Sequence, residues 1–245
     1  MATKRAARKK PARAKSKRKG QIRPVRWIFV WTLRIGILLT VTAVLVIAAH
    51  SVMTPPKTHY MRQEAKRLGG IDYVWVPYEE ISPVMARAVV AAEDANFCAH
   101  WGFDMAAIRD AIEAGGTRGA STISQQTVKN VYLWHGRSWS RKALEAVITP
   151  VVEIIWSKQR IVEVYMNIAE FDEGVFGVDA AAHHYFGVGP ADLSARQASL
   201  LAAVLPNPKN RSASRPSSGV QKRAVSIRDG AATIRRDGRS SCFED

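Results

Sequence analysis

Two stretches of sequence, AVVAAEDANFCAHWGFD at residues 88–104 and RGASTISQQTVKN at residues 118–130, decide how the rest of the chain is arranged. In the first stretch an apolar helical run ends at Glu93, which brings a carboxylate from the core to the surface, where burial can tune a base. In the second, a loop of small residues opens a helix that carries Lys129. The backbone N–H groups of that loop, the Thr122 hydroxyl and the Lys129 ammonium predict a site for an anion.

The positive charge of the chain is concentrated at its N-terminus. The net charge is +15, but twelve of the 36 Lys and Arg residues lie in residues 1–26, which contain no acid, and Arg34 is one more. The remaining basic residues nearly balance the 21 Asp and Glu residues. We therefore expect residues 1–26 to be a disordered tail, and we expect no nucleic acid as a partner of the folded part.

An apolar segment, WIFVWTLRIGILLTVTAVLVIAA at residues 27–49, follows this tail directly. It is long enough to cross a bilayer as a helix, and its single charge, Arg34, lies near the basic end, where it can reach the headgroups. The alternatives are a cleaved signal peptide or a buried core helix, although a signal peptide has a shorter apolar region. The sequence predicts a transmembrane helix with residues 1–26 in the cytoplasm and residues 50–245 outside it.

The remainder is predicted to be mainly α-helical. Residues 50–80 are predicted to be a juxtamembrane connector that ends in a short strand or turn, and residues 81–245 form the domain. Pro150 is expected to kink a helix or to end it early. Helix N-termini are predicted at residues whose side chains cap helices well, namely Ser82 (followed by Pro83), Asp104, Thr122, Ser138, Ser157 and Ser194.

These residue types fit the transfer of a sugar that is linked through phosphate to a lipid. The leaving group of such a donor is already an anion, so the reaction needs a base for the attacking hydroxyl and cations for the departing phosphates. Glu93 is the candidate base, and Lys129, Arg141 and Lys142 are the candidate cations. Glu145, four residues after Arg141, is placed to hold that side chain or a divalent cation.

Four segments in this order and spacing resemble the successive motifs of the family 51 glycosyltransferases, the peptidoglycan transglycosylases. They are AAEDANFCAHWGFD, GASTISQQTVKN, RKALEAVITPVVE and SKQRIVEVYMN, and the similarity extends from about Pro77 to Pro208. The chain is most similar to monofunctional members, which have one anchor and no transpeptidase domain. The resemblance implies a lysozyme-like helical domain with a smaller jaw partly embedded in the membrane.

The resemblance also assigns the site residues. Glu93 is implied as the general base and Glu145 as the second catalytic glutamate. The candidate substrate-binding residues lie in the same motifs: Asp94, Phe97, His100, Ser121, Thr122, Gln125, Gln126, Lys129, Asn130, Arg141 and Lys142. No protein metal ligand is expected, but a divalent cation, Mg²⁺ or Mn²⁺, is a candidate at the pyrophosphate.

The implied reaction is the polymerisation of lipid II into β-1,4 glycan strands with release of undecaprenyl pyrophosphate. The implied partners are lipid II, the growing lipid-linked glycan, the membrane and other proteins of cell-wall synthesis or division. The implied location is the inner membrane, with the catalytic domain in the periplasm. Two alternatives are a lysozyme-like lytic enzyme, in which Glu93 acts as an acid, and a non-catalytic membrane-anchored scaffold.

Cys98 and Cys242 are the two cysteines of the chain, and both lie in the part that we expect outside the cytoplasm. In an oxidising compartment one intramolecular bridge is possible, which would tie the C-terminus to the Glu93 region. The alternative is a pair of unrelated thiols. We predict a Cys98–Cys242 disulfide without a catalytic role.

Overall fold

The computed structural model describes residues 24–115, 119–136 and 138–244, so that the predicted basic tail lies, as far as residue 23, outside the described residues. The helices are α1 (Pro24–His50), α2 (His59–Leu68), α3 (Pro83–Glu93), α4 (Met105–Glu113), α5 (Ile123–Tyr132), α6 (Trp139–Ile155), α7 (Lys158–Ile168), α8 (Val178–Phe186), α9 (Ala195–Val204), α10 (Ser218–Arg236) and α11 (Ser241–Glu244). The strands are β1 (Asp72–Tyr73), β2 (Glu170–Asp172) and β3 (Val175–Phe176). The predicted mainly α fold is confirmed.

The chain divides into two units, Met1–Ala43 and Val44–Asp245. The described part of the first unit belongs to α1, which among the residues described is the one helix long and apolar enough to cross a membrane. Most of its apolar side chains are exposed, although Ile47 is buried, and the Thr32 hydroxyl donates to the carbonyl oxygen of Ile28 at 3.0 Å. Because this hydroxyl donates its hydrogen bond within its own helix, it needs no water and can lie in lipid. The helix is compatible with a membrane anchor.

Capping side chains set the helix starts of the second unit. At five of the predicted positions the side chain accepts a hydrogen bond from the backbone N–H three residues later: Asp104, Thr122, Ser138, Ser157 and Ser194. Ser82 begins α3 as predicted but does not cap it, because its hydroxyl donates to the carbonyl oxygen of Leu193 at 3.0 Å. That bond ties the start of α3 to the segment that precedes α9.

The predicted connector at residues 50–80 contains ordered structure that the sequence reading missed. Helix α2 lies within it, begins at a Thr58 cap and buries Met61 completely. This short helix has few apolar residues, so its stability comes from packing against α5 rather than from an apolar stripe in its own sequence.

Pro150 does not end its helix early, since α6 continues from Trp139 to Ile155. Proline removes one backbone hydrogen bond within a helix. Thr149 and Val152, on either side of it, are fully buried, and the burial of this face holds the helix together across the proline.

Helix α3 lies at the centre of one half of the core. Its residues from Met85 to Val90 are buried, and it packs against both α9 and α10. Alanines on α3 and α9 allow close approach of the helices, and Ala91 lies next to Gly230 of α10. A second group, in which α5 contacts both α6 and α7, completes the core. This packing brings the C-terminal end of α3, with Glu93, against α5 on one side and α10 on the other.

A small sheet has the order β1-β3-β2; β1 lies where a short strand or turn was predicted at the end of the connector, but β2, β3 and the pairing were not predicted, because the strands have only two or three residues each. Strand β1 pairs parallel with β3, and β2 pairs antiparallel with it. The buried side-chain amide of Asn167 makes two hydrogen bonds to the backbone of Val76. Its oxygen accepts from the Val76 N–H and its nitrogen donates to the Val76 carbonyl oxygen, both at 2.8 Å. Gly177, which follows β3, has φ 85°, and a side chain there would lie 2.9 Å from the carbonyl oxygen of Asn167. Only glycine fits that turn.

The C-terminal segment is ordered and covalently attached. Cys98 and Cys242 form the predicted disulfide, with their Cα atoms 5.7 Å apart. Phe243, next to the cystine, is 1% exposed. A segment that the sequence suggests is polar and without a motif is therefore docked on the domain.

Candidate active site

Glu93 is the last residue of α3, at the edge of the core. Its side chain is 14% exposed, and its Oε2 accepts a hydrogen bond from the Gln126 amide of α5 at 3.0 Å. The guanidinium of Arg223, on α10, lies 3.7 Å from Oε1. Burial raises the pKa of Glu93 above its ordinary value of 4.5, while the Gln126 hydrogen bond and the charges of Arg223 and Lys129 limit the rise. This environment suits a general base.

The Asp94 carboxylate joins the two motif stretches. Its Oδ1 lies 2.8 Å from Nε2 of His100, and its Oδ2 accepts the backbone N–H of Ile123 at 3.0 Å. Both side chains of the Asp94–His100 pair are almost completely buried. Next to them, the Thr122 hydroxyl donates to the carbonyl oxygen of Gly102 at 2.6 Å. These bonds fix the start of α5 against the loop that follows Glu93.

The same bonds use several of the donors that were expected to serve an anion at the start of α5. The N–H of Thr122 donates to the side-chain oxygen of Gln125, that of Ile123 donates to Asp94, and that of Gln125 donates to the Thr122 hydroxyl. The hydroxyl itself donates to the Gly102 carbonyl oxygen. Because these donors are used within the protein, an anion has no free N–H or hydroxyl among them. The capping box, the Asp94 carboxylate and the Gly102 carbonyl oxygen accept from these donors, and the Lys129 ammonium is not among them.

A cationic group lies along α5 and α6. Glu145, whose side chain is 3% exposed, accepts from Arg141 Nη1 at 2.8 Å and pairs with Lys142 Nζ at 2.5 Å. Arg141 Nε also donates to the Gly136 carbonyl oxygen at 2.8 Å. The two cations are therefore paired with one buried carboxylate, which orients them.

Lys129 differs from these two cations. Burial lowers the pKa of its ammonium from 10.5, and Glu145 and Glu93 oppose that shift. Among the described residues the Lys129 ammonium makes no hydrogen bond or ion pair, which leaves its charge for a ligand. Lys129 and Glu93 are near enough for each charge to change the pKa of the other group.

A cleft of about 280 Å³ opens beside Glu93. It is lined by the end of α3, the start of α4 and the loop before α5, including Glu93, Asp94, Asn96, Asp104, Gly119, Ala120, Ser121 and Thr122. Ser121 is exposed in this loop, and its carbonyl oxygen is 3.5 Å from the Gln126 amide nitrogen. Asn130 follows Lys129 on α5 and is half-buried.

Phe97 and Gln125 lie inside the protein rather than on the cleft. Phe97 is fully buried, and the Lys158 ammonium stands 4.2 Å from its ring centroid. Gln125 is 4% exposed and completes the capping box of Thr122. The structure thus places these two residues behind the surface that carries Glu93.

Sequence reasoning missed a buried ion pair that supports the loop. Glu153 Oε1 accepts from the Ser124 hydroxyl and from Lys158 Nζ, the latter at 3.0 Å, and Lys158 also donates to the His100 carbonyl oxygen at 2.8 Å. Glu153 and Lys158 both belong to the quoted motif segments. The charge of Glu153 at the end of an apolar helical run is the sequence feature that could have indicated this ion pair. Arg223 was also missed, because no local pattern predicts which residue of a distant helix will meet Glu93.

No metal site built from protein side chains is found in the described ranges 24–115, 119–136 and 138–244, where no group of three or more His, Cys, Asp or Glu residues could hold an ion. Glu145 was expected to hold either the Arg141 side chain or a divalent cation; it binds Arg141, and both of its carboxylate oxygens are paired with cations. Its donor set therefore does not fit a metal ion.

Comparison with known proteins gives one consistent result. The family model described as transglycosylase matches residues 62–231, which include Glu93, Lys129 and Glu145. A biosynthetic peptidoglycan transglycosylase of Jannaschia sp. (strain CCS1) is 62% identical over 218 residues, which cover 89% of this chain and 90% of that protein.

Two further relatives carry the same name. One, from Rhodospirillum centenum, is 46% identical over 86% of this chain and 95% of its own length. The other, from Pseudomonas fluorescens (strain SBW25), is 46% identical over 87% of this chain and 93% of its own length. With its helical domain and the motif residues assembled around Glu93, the chain belongs to the transglycosylase family and is a peptidoglycan glycosyltransferase.

Proposed function

We propose that the enzyme polymerises lipid II, with Glu93 as the general base. The proposal rests on two neighbouring groups that are largely buried. Glu93 accepts its hydrogen bond from a neutral amide, and the ammonium of Lys129 has no ion pair within the described residues. One group takes up a proton and the other meets negative charge. A transfer that releases a phosphate anion needs these two functions.

Glu93 takes the proton from the 4-hydroxyl of the acceptor N-acetylglucosamine. The resulting oxygen nucleophile forms a bond to C1 of the donor N-acetylmuramic acid while the bond from C1 to the pyrophosphate oxygen breaks. The configuration at C1 inverts, and undecaprenyl pyrophosphate leaves with the electron pair. The raised pKa of Glu93 makes its carboxylate a stronger base than that of an exposed glutamate.

The leaving pyrophosphate is stabilised by side-chain cations. Lys129 offers its whole charge, and Arg141 offers the part of its guanidinium that Gly136 and Glu145 do not use. Glu145 acts by orienting Arg141 and Lys142, so its catalytic role is positional. Because the carboxylate of Glu145 is already paired twice, we propose no step that passes through a protein-bound divalent cation.

The buried motif residues are proposed to support the site rather than to contact substrate. Asp94, His100 and Thr122 join the loop after Glu93 to the start of α5, and the Phe97 side chain of that loop is fully buried. Gln126 holds the Glu93 carboxylate. Ser121 and Asn130 remain the candidates for direct contact with sugar or phosphate groups.

We further propose that the enzyme works at the inner membrane. Helix α1 is the anchor, its basic N-terminal side is cytoplasmic and the catalytic domain is periplasmic. Within the second unit, α6 exposes Leu144, Val147 and Ile154 on one face, with Val147 at 67% and Ile154 at 73% exposure. An exposed apolar face on the helix that also carries Arg141 fits a surface that meets the lipid end of the substrate.

Incubation of the detergent-solubilised protein with lipid II, followed by separation of the products by size, tests the proposal. We expect polymer, and we expect added glycan strands to stay intact. Shortened strands would instead identify a lytic enzyme, because glycan cleavage needs an acid for a sugar leaving group. A protein that changes neither substrate would contradict the proposal.

Arg141→Lys is expected to lower the rate of lipid II polymerisation by about 10-fold or more. A lysine cannot bond Gly136 and Glu145 and still present a fork to phosphate, and a hydrogen bond to a charged group contributes about 1.5–3 kcal/mol. Lys142→Arg is the matched control, because it keeps the cation beside Glu145 and should retain most of the rate. A rate for Arg141→Lys equal to that of the wild type would contradict the role of the fork.

The pH dependence of polymerisation should report Glu93. The base acts when it is deprotonated, so the rate falls as the pH falls through a pKa that lies above 4.5. In Gln126→Ala the carboxylate loses the hydrogen bond that lowers its pKa, and the acid limb should move to higher pH. Asp229→Asn removes an exposed carboxylate on α10 and serves as the control, whose acid limb should not move. An acid limb that moves to lower pH in Gln126→Ala would contradict the assignment.

A further inference from the structure

The C-terminal segment Gly238–Glu244 lies beyond the region that the transglycosylase family model matches, which ends at residue 231. It is nevertheless packed into the domain. Ser240 is 5% exposed and Phe243 is 1% exposed. The activity described above gives this segment no role.

The segment contacts the loop that follows Glu93 at several points. Cys242 is bonded to Cys98, and Arg239 Nη1 donates to the carbonyl oxygen of Ala95 at 3.2 Å. The ring centroid of Phe243 lies 6.3 Å from that of Phe97. The covalent, polar and apolar contacts all reach the four residues from 95 to 98.

These four residues lie between the two ends of the Asp94–His100 contact. Their backbone includes a single short turn, Phe97–Ala99, so that tertiary contacts determine its path. Lys158 covers one side of the Phe97 ring at 4.2 Å, and the His100 ring lies 6.2 Å away at its edge. The Phe243 ring is tilted by 52° to the Phe97 ring, so Phe97 contacts groups from two distant parts of the chain, Lys158 and Phe243.

At the end of the segment Glu244 forms an ion pair with Arg87, which lies on α3 two turns before Glu93. Arg87 is 8% exposed, so the pair is largely shielded from water. The segment thus spans from α3, the helix that carries Glu93, to the loop that aligns Asp94.

We infer that Gly238–Glu244 is a positioning element of the active site: through Cys98 and Phe97 it holds the Asp94–His100 loop, and with it the start of α5, in the arrangement that the reaction needs. The inference rests on the proposed lipid II polymerisation for its activity measurement. Cys242 and Phe243 are positioning residues, because the partners of their side chains, Cys98 and Phe97, do not line the cleft.

The test compares the double variant Cys98→Ser/Cys242→Ser and the variant Phe243→Ala with the wild type. We expect the rate constant kcat to fall by about 10-fold, with KM little changed, because a displacement of about 1 Å at a site can cost as much as 100-fold. Phe243→Leu, which keeps an apolar side chain on Phe97, should recover much of the rate. Reduction of the wild-type disulfide to two thiols by dithiothreitol should reproduce the loss, and the double variant should not respond to the reagent.

Ile234→Ala is the matched control. It removes a side chain that is 1% exposed on α10, in the same part of the chain, but leaves the disulfide and Phe243 in place. It should lower the melting temperature while kcat, measured well below that temperature, stays near the wild-type value. An equal loss of kcat in Ile234→Ala would mean general destabilisation and would overturn the inference.

Hydrogen exchange of residues 94–102 gives a readout that does not depend on activity. In the double variant and in Phe243→Ala the backbone amides of these residues, and that of Ile123, should exchange faster than in the wild type. Unchanged exchange, or faster exchange with an unchanged kcat, would overturn the inference. A wild-type protein that does not polymerise lipid II would contradict the proposed function, and the exchange data would still decide whether the segment holds the loop.

Discussion

The arrangement of the site depends on one buried carboxylate, that of Asp94. It accepts from the backbone N–H of Ile123 with one oxygen and meets His100 with the other, and it thereby joins two segments separated by about thirty residues. A buried charge is stable only when its hydrogen-bonding capacity is used, so this carboxylate defines the positions of both segments. Helix α5 then begins at a fixed place relative to Glu93, which sets the distance from Gln126 to the base.

The neighbouring carboxylates illustrate how environment separates two chemically similar groups. Asp94 uses both of its carboxylate oxygens to hold two segments of the protein together. Glu93, next to it in sequence, accepts one amide hydrogen bond, and a guanidinium lies 3.7 Å from it. Glu145 is the third case, because two cations take its oxygens and it orients them in return. Lys129 complements this set, since its ammonium forms no ion pair within the described residues.

Local chemistry explains what could be predicted from the sequence. Helix starts such as Thr122 depend on a side chain and an N–H three residues apart, so the pattern is visible in the sequence. The supporting contacts are long-range: the Ser82 hydroxyl bonds Leu193, Arg223 meets Glu93, and Lys158 reaches the His100 carbonyl oxygen. No spacing rule encodes such contacts, because they form only when the helices have packed. Such contacts also use donors that were expected to serve an anion at the start of α5: Asp94 accepts from the N–H of Ile123, and the Gly102 carbonyl oxygen accepts from the Thr122 hydroxyl.

The most direct test of the account is polymerisation of lipid II by Glu93→Gln. Glutamine has nearly the same volume and can still meet Gln126 and Arg223, but it cannot take a proton from the acceptor hydroxyl. The account predicts a protein with the helical content and melting behaviour of the wild type and a rate lower by about 10²–10⁴, the usual contribution of a general base. Glu80→Gln, a change at an exposed carboxylate, should keep the full rate. A Glu93→Gln protein that polymerises lipid II at the wild-type rate would contradict the central claim.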